Sequence, residues 1–244
     1  MVENAGVRGL EGWGLVVMDM QNDFLAAGGY YARRSDLDEQ VGQGKLTVEA
    51  RNRLLSQPSV APPKGFNYRA ASLPRIATNI CTVIKHARAK QRPLVHLKAV
   101  YSREFDVQPP FLTREPDREH YPCKPHSWGA ALIEPISQLI DAKHSGSSEK
   151  VIEKHTFDGF FQTELLQYLQ TWKVQTVIIV GVETHVCVLA TAKSASIHQF
   201  KTLILEDCTW TAQEELGHGA LAIFREAFGF TARLQEILGA ESYA

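Results

Sequence analysis

Short apolar segments alternate with helical patterns along most of this chain, and this alternation constrains its fold more than any other feature. The segment Val174 to Val180 is rich in β-branched residues and predicts a buried strand, and the alanine-rich segment Cys187 to Ile197 predicts a helix after it. Further strands are predicted at Trp13 to Met18, Leu94 to Val100, Val151 to Lys154, Thr202 to Leu205 and Phe230 to Thr231. Such alternation is typical of an α/β fold with a parallel sheet covered on both faces.

The segments between the predicted strands contain the helical patterns. Apolar residues recur at helical spacing from Leu73 to Lys90. Other predicted helices are Leu132 to Ile140, Leu165 to Leu169, Glu214 to Phe228 and Arg233 to Leu238. Residues 33–66 are polar and include two adjacent prolines, which predicts a long loop excursion. We expect one domain over residues 1–244, with this excursion as a lid or an oligomer contact.

Composition excludes several classes of partner. The formal net charge is −1, so no general attraction to nucleic acid or to an anionic membrane is expected. No apolar run reaches the roughly 18 residues that a membrane span needs, and the first residues lack the apolar core of a signal peptide. The four cysteines follow neither a disulfide framework nor a zinc pattern. A cytoplasmic protein is the resulting expectation.

Three reactive side chains come at or just after the ends of predicted strands, namely Asp19, Lys154 and Cys187. Ligands of open α/β sheets bind outside the carboxyl ends of the strands, so these side chains can converge there. Cys187 also opens a predicted helix, where the helix dipole and free N–H groups favour a thiolate. Together they can form a nucleophilic site, although each has an ordinary structural alternative: a turn carboxylate, a solvated lysine and a buried cysteine.

Several motifs around these residues resemble those of the isochorismatase-like cysteine hydrolase superfamily. Asp19 begins the sequence DMQNDF, which resembles the opening motif of that superfamily, and Lys154 lies in VIEKHTFDGFF, which resembles its lysine motif. Cys187 lies in GVETHVCV, which resembles its nucleophile motif. Asp207 follows a predicted strand and precedes a predicted helix that contains His218, which resembles the C-terminal pattern of the superfamily. The resemblance extends from about Trp13 to Leu238.

The resemblance implies a doubly wound, three-layer α/β/α fold with a six-stranded, mostly parallel sheet. It implies a catalytic triad of Asp19, Lys154 and Cys187. It further implies a cis peptide bond between Val182 and Glu183, with the backbone N–H groups of Glu183 and Cys187 as the oxyanion hole. Hydrolysis of a small amide, ureide or N-carbamoyl substrate through a thioester follows, with no metal and no organic cofactor.

Members of the superfamily differ in chemistry, and two alternatives stay open. One is hydrolysis of a vinyl ether, as in isochorismatases, which do not need the thiol; the other is a binding protein without catalysis. The segment after the second predicted strand lacks the Asp-x-His metal motif of nicotinamidases, whereas the segment after Lys154 and the sequence GGY at 28–30 are similar to ureidoacrylate amidohydrolases. The resemblance also implies a homo-oligomer, either dimer or tetramer.

Aromatic residues near the motifs are candidates for the wall of a substrate pocket. Phe24 follows the Asp19 motif, Phe157 follows Lys154, and Trp128 lies in a predicted loop region. Rings at strand-end loops often form the apolar wall of a small-molecule site. Phe24, Trp128 and Phe157 are therefore the predicted substrate-binding residues.

Overall fold

One sheet of six strands organises the protein. The computed structural model describes residues 10, 12–57, 59, 67–102, 121–140 and 148–240. The strands are β1 (Trp13–Met18), β2 (Leu94–Ala99), β3 (Glu149–Lys154), β4 (Thr176–Val182), β5 (Lys201–Trp210) and β6 (Phe230–Ala232). They lie in the order β3-β2-β1-β4-β5-β6, and every neighbouring pair is parallel. The strand order reverses between β1 and β4, which is where such sheets bind ligands.

Helices connect the strands. They are α1 (Asn22–Leu25), α2 (Tyr30–Gly42), α3 (Val48–Ser56), α4 (Leu73–Ala89), α5 (Glu134–Ser137), α6 (Leu165–Thr171), α7 (Leu189–Ile197), α8 (Glu214–Ala227) and α9 (Leu234–Ala240), with a π-helical turn at Thr184–Val188. Within the described ranges, no helix combines the length and apolarity that a membrane crossing requires.

The hydrophobic core lies on both faces of the sheet. In β1, Leu15 and Val17 pack into one apolar cluster with α4, whereas Val16 and Met18 pack into a second cluster with α6 and α7. Successive side chains of a strand point to opposite faces, so a strand that is buried throughout must be covered twice. The predicted doubly wound, three-layer fold is thereby confirmed, and its sheet is parallel throughout.

The excursion predicted as a loop at 33–66 instead contains most of α2 and all of α3. Only Tyr30 and Ala32 of α2, and Leu55 of α3, are buried, so these helices lack the apolar periodicity by which a helix is predicted. Polar contacts support them instead: the Thr47 hydroxyl accepts a hydrogen bond from the Ala50 N–H at 3.1 Å. The proline pair, and most of the loop predicted between strands two and three, lie outside the described residues.

Candidate active site

The ends of β1, β3 and β4 bring three predicted site residues together. Asp19 directly follows β1, and its N–H donates a hydrogen bond to the Leu97 carbonyl of β2 at 2.9 Å. Asp19 has a φ of +50°, a left-handed conformation that aspartate tolerates better than most residues. Lys154 is the last residue of β3, and Cys187 lies in the turn after β4.

Lys154 links the other two side chains. Its Nζ lies 2.9 Å from Asp19 Oδ2 and donates a hydrogen bond to Cys187 Sγ at 3.4 Å. The same ammonium donates to the Thr156 carbonyl at 3.0 Å, which fixes its direction. Asp19 and Lys154 are fully buried and Cys187 is 3% exposed. A carboxylate, an ammonium and a thiol therefore form one buried cluster.

Burial controls the protonation of this cluster. It raises the pKa of the Asp19 carboxyl, although Lys154 and Cys187 lower that pKa in part. Burial opposes a charge on Lys154, but Asp19 and Cys187 outweigh it, and the pKa of the ammonium is raised. Burial also raises the pKa of the Cys187 thiol; Lys154 lowers it and Asp19 raises it again, with a net shift well upward.

The neutral thiol is therefore favoured over the thiolate at Cys187. This corrects the expectation that the helix end makes Cys187 a thiolate. Cys187 lies within the π-helical turn Thr184–Val188, ahead of α7, and it has lost nearly all contact with solvent. For a charged sulfur, the loss of hydration outweighs the neighbouring ammonium. A reaction of this sulfur as a nucleophile would require a base to take its proton.

The turn before Cys187 has an unusual backbone. The peptide bond between Val182 and Glu183 is cis, at the position that the resemblance implies. Gly181 has a φ of +116°, and a Cβ there would lie 2.1 Å from the Met18 carbonyl oxygen of β1. Only glycine fits this approach of β4 to β1. The Glu183 carbonyl accepts hydrogen bonds from the N–H groups of Val186 and Val188, which closes the turn.

A cavity of about 370 Å³ opens beside Cys187. Phe24 and Phe157, two of the predicted substrate-binding residues, line it, but Trp128 is not among the residues that line it. The backbone carbonyl of Trp128 instead accepts a hydrogen bond from the Asn22 side chain at 2.8 Å. This hydrogen bond ties the Trp128 backbone to α1, and the structure does not place Trp128 in the cavity.

Sequence reasoning missed several residues of the cavity wall. Tyr31, Arg69 and Tyr101 line the cavity together with Glu183 and Cys187. Arg69 precedes α4 in a segment without a motif, so no local pattern predicts its position. Tyr31 directly follows the GGY sequence at 28–30, and this motif is the local signal that could have indicated its position in the cavity wall. Burial first, and then nearby acidic groups, raise the pKa of both tyrosines, which keeps them neutral.

Asp207 and His218, which fit the predicted C-terminal pattern, lie elsewhere. They line a second cavity of about 520 Å³ near the end of β5. His185, close to Cys187 in sequence, has its Nδ1 2.8 Å from the Thr211 hydroxyl. Within the described part of the chain, no group of three His, Cys, Asp or Glu side chains is arranged to hold a metal ion.

Comparison with known proteins identifies similar chains. The isochorismatase domain matches residues 14–236. Nicotinamidase 3 of Arabidopsis thaliana is 37% identical over 39% of this chain and 46% of its own length. Ureidoacrylate amidohydrolase RutB of Acinetobacter baylyi is 28% identical over 41% of this chain and 42% of its own length. The chain thus matches less than half the length of these relatives.

Solved structures extend the similarity over the whole fold. Nicotinamidase PncA of Bacillus subtilis superimposes with a TM-score of 0.68 at 18% identity, over 91% of this chain and 99% of the other. An isochorismatase-like hydrolase of Alkaliphilus metalliredigens superimposes with a TM-score of 0.63 at 20% identity, over 94% and 98% of the two chains. At these identities the similarity establishes the fold.

Proposed function

Because the chain belongs to the isochorismatase family, we propose that it is a cysteine amidohydrolase that cleaves a small amide, ureide or N-carbamoyl compound. One observation carries the proposal: the Lys154 ammonium contacts both the Asp19 carboxylate and the Cys187 thiol, at the edge of a cavity of about 370 Å³. A base, a cation and a nucleophile in contact beside a cavity are what nucleophilic attack on a carbonyl requires.

In the first half of the proposed reaction, Asp19 takes the proton of the Cys187 thiol as the sulfur attacks the carbonyl carbon. The negative charge moves to the carbonyl oxygen, which accepts hydrogen bonds from the backbone N–H groups of Glu183 and Cys187. Asp19 then gives the proton to the nitrogen as the C–N bond breaks. Ammonia or an amine leaves, and the acyl group remains on Cys187 as a thioester.

In the second half, water attacks the thioester while Asp19 takes one of its protons. The same two N–H groups hold the oxyanion, and the C–S bond breaks. The sulfur recovers the proton from Asp19, and the carboxylic acid, or the carbamic acid of an N-carbamoyl substrate, departs. Lys154 stays charged throughout and stabilises the transient negative charge on sulfur and on Asp19.

The curated relatives support the bond type. The names nicotinamidase and ureidoacrylate amidohydrolase both describe cleavage of a C–N bond. The cavity supports a small substrate, because about 370 Å³ lies near the lower end of ligand-site volumes. Aromatic walls from Phe24 and Phe157 suit a planar amide or ureide.

The test is an ammonia-release screen across small amides and ureides, run with the wild type, Cys187→Ala and Cys81→Ala. Cys81 is a half-buried cysteine of α4 outside the cavity and serves as the matched control. We expect Cys187→Ala to lose at least about a thousandfold in turnover and Cys81→Ala to retain it. Intact-mass measurement during turnover should detect the acyl group on the wild type.

Two results would reject the proposal. Ammonia release that survives Cys187→Ala would rule out the thiol as the nucleophile. An absence of both ammonia and acyl adduct across the panel would favour either a binding protein without catalysis or the thiol-independent vinyl ether chemistry, which releases no ammonia.

A further inference from the structure

Two side chains hold the Glu183 carboxylate in place, and the Ala212 N–H donates a longer hydrogen bond of 3.4 Å to its Oε2. Arg69 Nη2 lies 2.8 Å from Glu183 Oε1, and the side chains of the two residues are only 10% and 16% exposed. The Thr211 hydroxyl donates to Glu183 Oε2 at 2.8 Å. Each carboxylate oxygen thus has its own donor, from the segment before α4 and from the segment after β5. We call Arg69, Glu183 and Thr211 the Glu183 clamp.

Arg69 is itself restrained. Its backbone N–H donates to the Leu25 carbonyl of α1 at 2.9 Å. Its guanidinium carbon lies 4.8 Å from the centre of the Trp210 ring and 5.8 Å from that of Tyr31. The Trp210 indole in turn donates to the Ser72 hydroxyl at 3.0 Å. Aromatic rings and hydrogen bonds therefore fix the arginine, and a fixed arginine can fix its carboxylate partner.

Thr211 is held from the other side. Its hydroxyl also lies 2.8 Å from His185 Nδ1, in the turn that contains Cys187. Helix α8 packs closely on it, since a Cβ at Gly217 would lie 2.7 Å from the Thr211 methyl group. The clamp thus connects β5, α8 and the segment before α4 to Glu183 and His185 of the turn that contains Cys187.

From these contacts we infer that Arg69 is a positioning residue that acts through Glu183. By holding the carboxylate, the Glu183 clamp fixes the Glu183 backbone N–H that the proposed function assigns to the oxyanion, and the inference rests on that function. Donors aimed at the oxyanion stabilise the transition state only when they are already in place. The clamp accordingly governs the rate of carbonyl attack.

The position of Arg69 in the cavity wall allows a competing role in substrate binding. The two roles differ in kinetics. Loss of a binding contact raises KM, whereas loss of a transition-state contact lowers kcat. Glu183 already neutralises the charge of Arg69, which favours positioning.

The kinetic experiment is a double-mutant cycle with Arg69→Met, Glu183→Gln and the double variant. We expect each single variant to lower kcat about tenfold to a hundredfold, with KM within about twofold of the wild type. The double variant should be no slower than the slower single variant, because both remove one interaction. Arg69→Lys, which keeps the charge, should recover part of kcat.

Arg225→Met is the matched control. Arg225 lies on α8 outside the cavity beside Cys187, and its Nη1 forms an ion pair of 2.6 Å with Glu206 Oε1 of β5. The kcat of this variant should equal that of the wild type. If Arg69→Met does not fold, Thr211→Val removes a donor from the same carboxylate with little change of shape. Multiplicative losses in the double variant, or a raised KM with unchanged kcat, would overturn the inference.

Amide hydrogen exchange of the peptide spanning 182–188 supplies a readout independent of turnover. The amide hydrogens of this peptide should exchange several-fold faster in Arg69→Met than in the wild type, and at the wild-type rate in Arg225→Met. Unchanged exchange in Arg69→Met overturns the clamp, whatever the activity. If the wild type hydrolyses no amide, the proposed function fails, and the exchange rates still decide whether Arg69 fixes the turn.

Discussion

Lys154 and Asp19 form an ion pair of 2.9 Å between side chains that are both fully buried. They come from β3 and from the end of β1, with β2 lying between these strands. A buried pair contributes little net stability when complete, but removal of one partner leaves an unpaired charge. Stability and activity should therefore respond differently to removal of one partner and to removal of both, which distinguishes the structural role of the pair from its proposed chemical role.

Lys154→Met should therefore destabilise the protein by about 3–5 kcal/mol, less the part recovered when Asp19 takes up a proton. The double variant Asp19→Asn/Lys154→Met should regain much of this loss, since no buried charge remains. Neither variant should hydrolyse an amide. Urea unfolding and turnover assays measure both effects, and equal stability of Lys154→Met and the wild type would contradict the prediction.

The pH dependence of turnover follows from burial of Asp19. Burial raises its carboxyl pKa above the ordinary 3.8, although Lys154 and Cys187 lower that pKa and so oppose part of the increase. As the pH falls through this raised value, Asp19 becomes protonated and cannot accept the thiol proton. We expect the acid limb of kcat/KM to have an apparent pKa above 3.8 that belongs to the cluster as a whole. A limb at or below the ordinary value would count against Asp19 as the base.

Gly181 should be among the least replaceable residues. Gly181→Ala places a Cβ against the Met18 carbonyl at a φ of +116°, so we expect a loss of several kcal/mol or failure to fold. Gly219→Ala on α8 is the control, because a Cβ there meets open space. That change should stabilise the protein by about 0.5–1 kcal/mol. Thermal and urea unfolding of both variants provide the comparison.

The residues that line the cavity predict which aromatic side chains contribute to substrate binding, and this prediction differs from that of the sequence for Trp128. Phe157→Ala should raise KM about tenfold, the cost of losing roughly 1.4 kcal/mol of apolar contact. Phe161→Ala removes an exposed ring four residues later, outside the cavity, and should leave KM unchanged. Trp128→Ala separates the two views. A raised KM would support the sequence prediction for Trp128 and count against the structural placement.

The strands and the cluster at their ends were predictable because their signals are local. Asp19 and Lys154 each mark the end of an apolar segment, and in a parallel sheet all such ends meet at one edge. These signals predict that the residues lie at the same edge, whereas their contacts also depend on the direction in which each side chain points.

The rest of the site depends on contacts between distant segments. Arg69 reaches Glu183 only because α1, α4 and β5 pack around it, and nothing in its own segment indicates this. The protonated state of Cys187 follows from burial, which a sequence motif does not measure. Helix α2 escaped prediction because only two of its side chains are buried.

Strand β3 forms the margin of the described sheet and pairs within it with β2 alone. Its Val151 side chain is 40% exposed, whereas every residue of β1 and β4 is buried. Outer strands open at a lower free energy than central strands. Opening of β3 would withdraw the Lys154 ammonium while the core stays intact. Heating would then abolish the proposed activity at a temperature below that of global unfolding. The outermost strand, and not the core, would set the upper temperature limit of that activity.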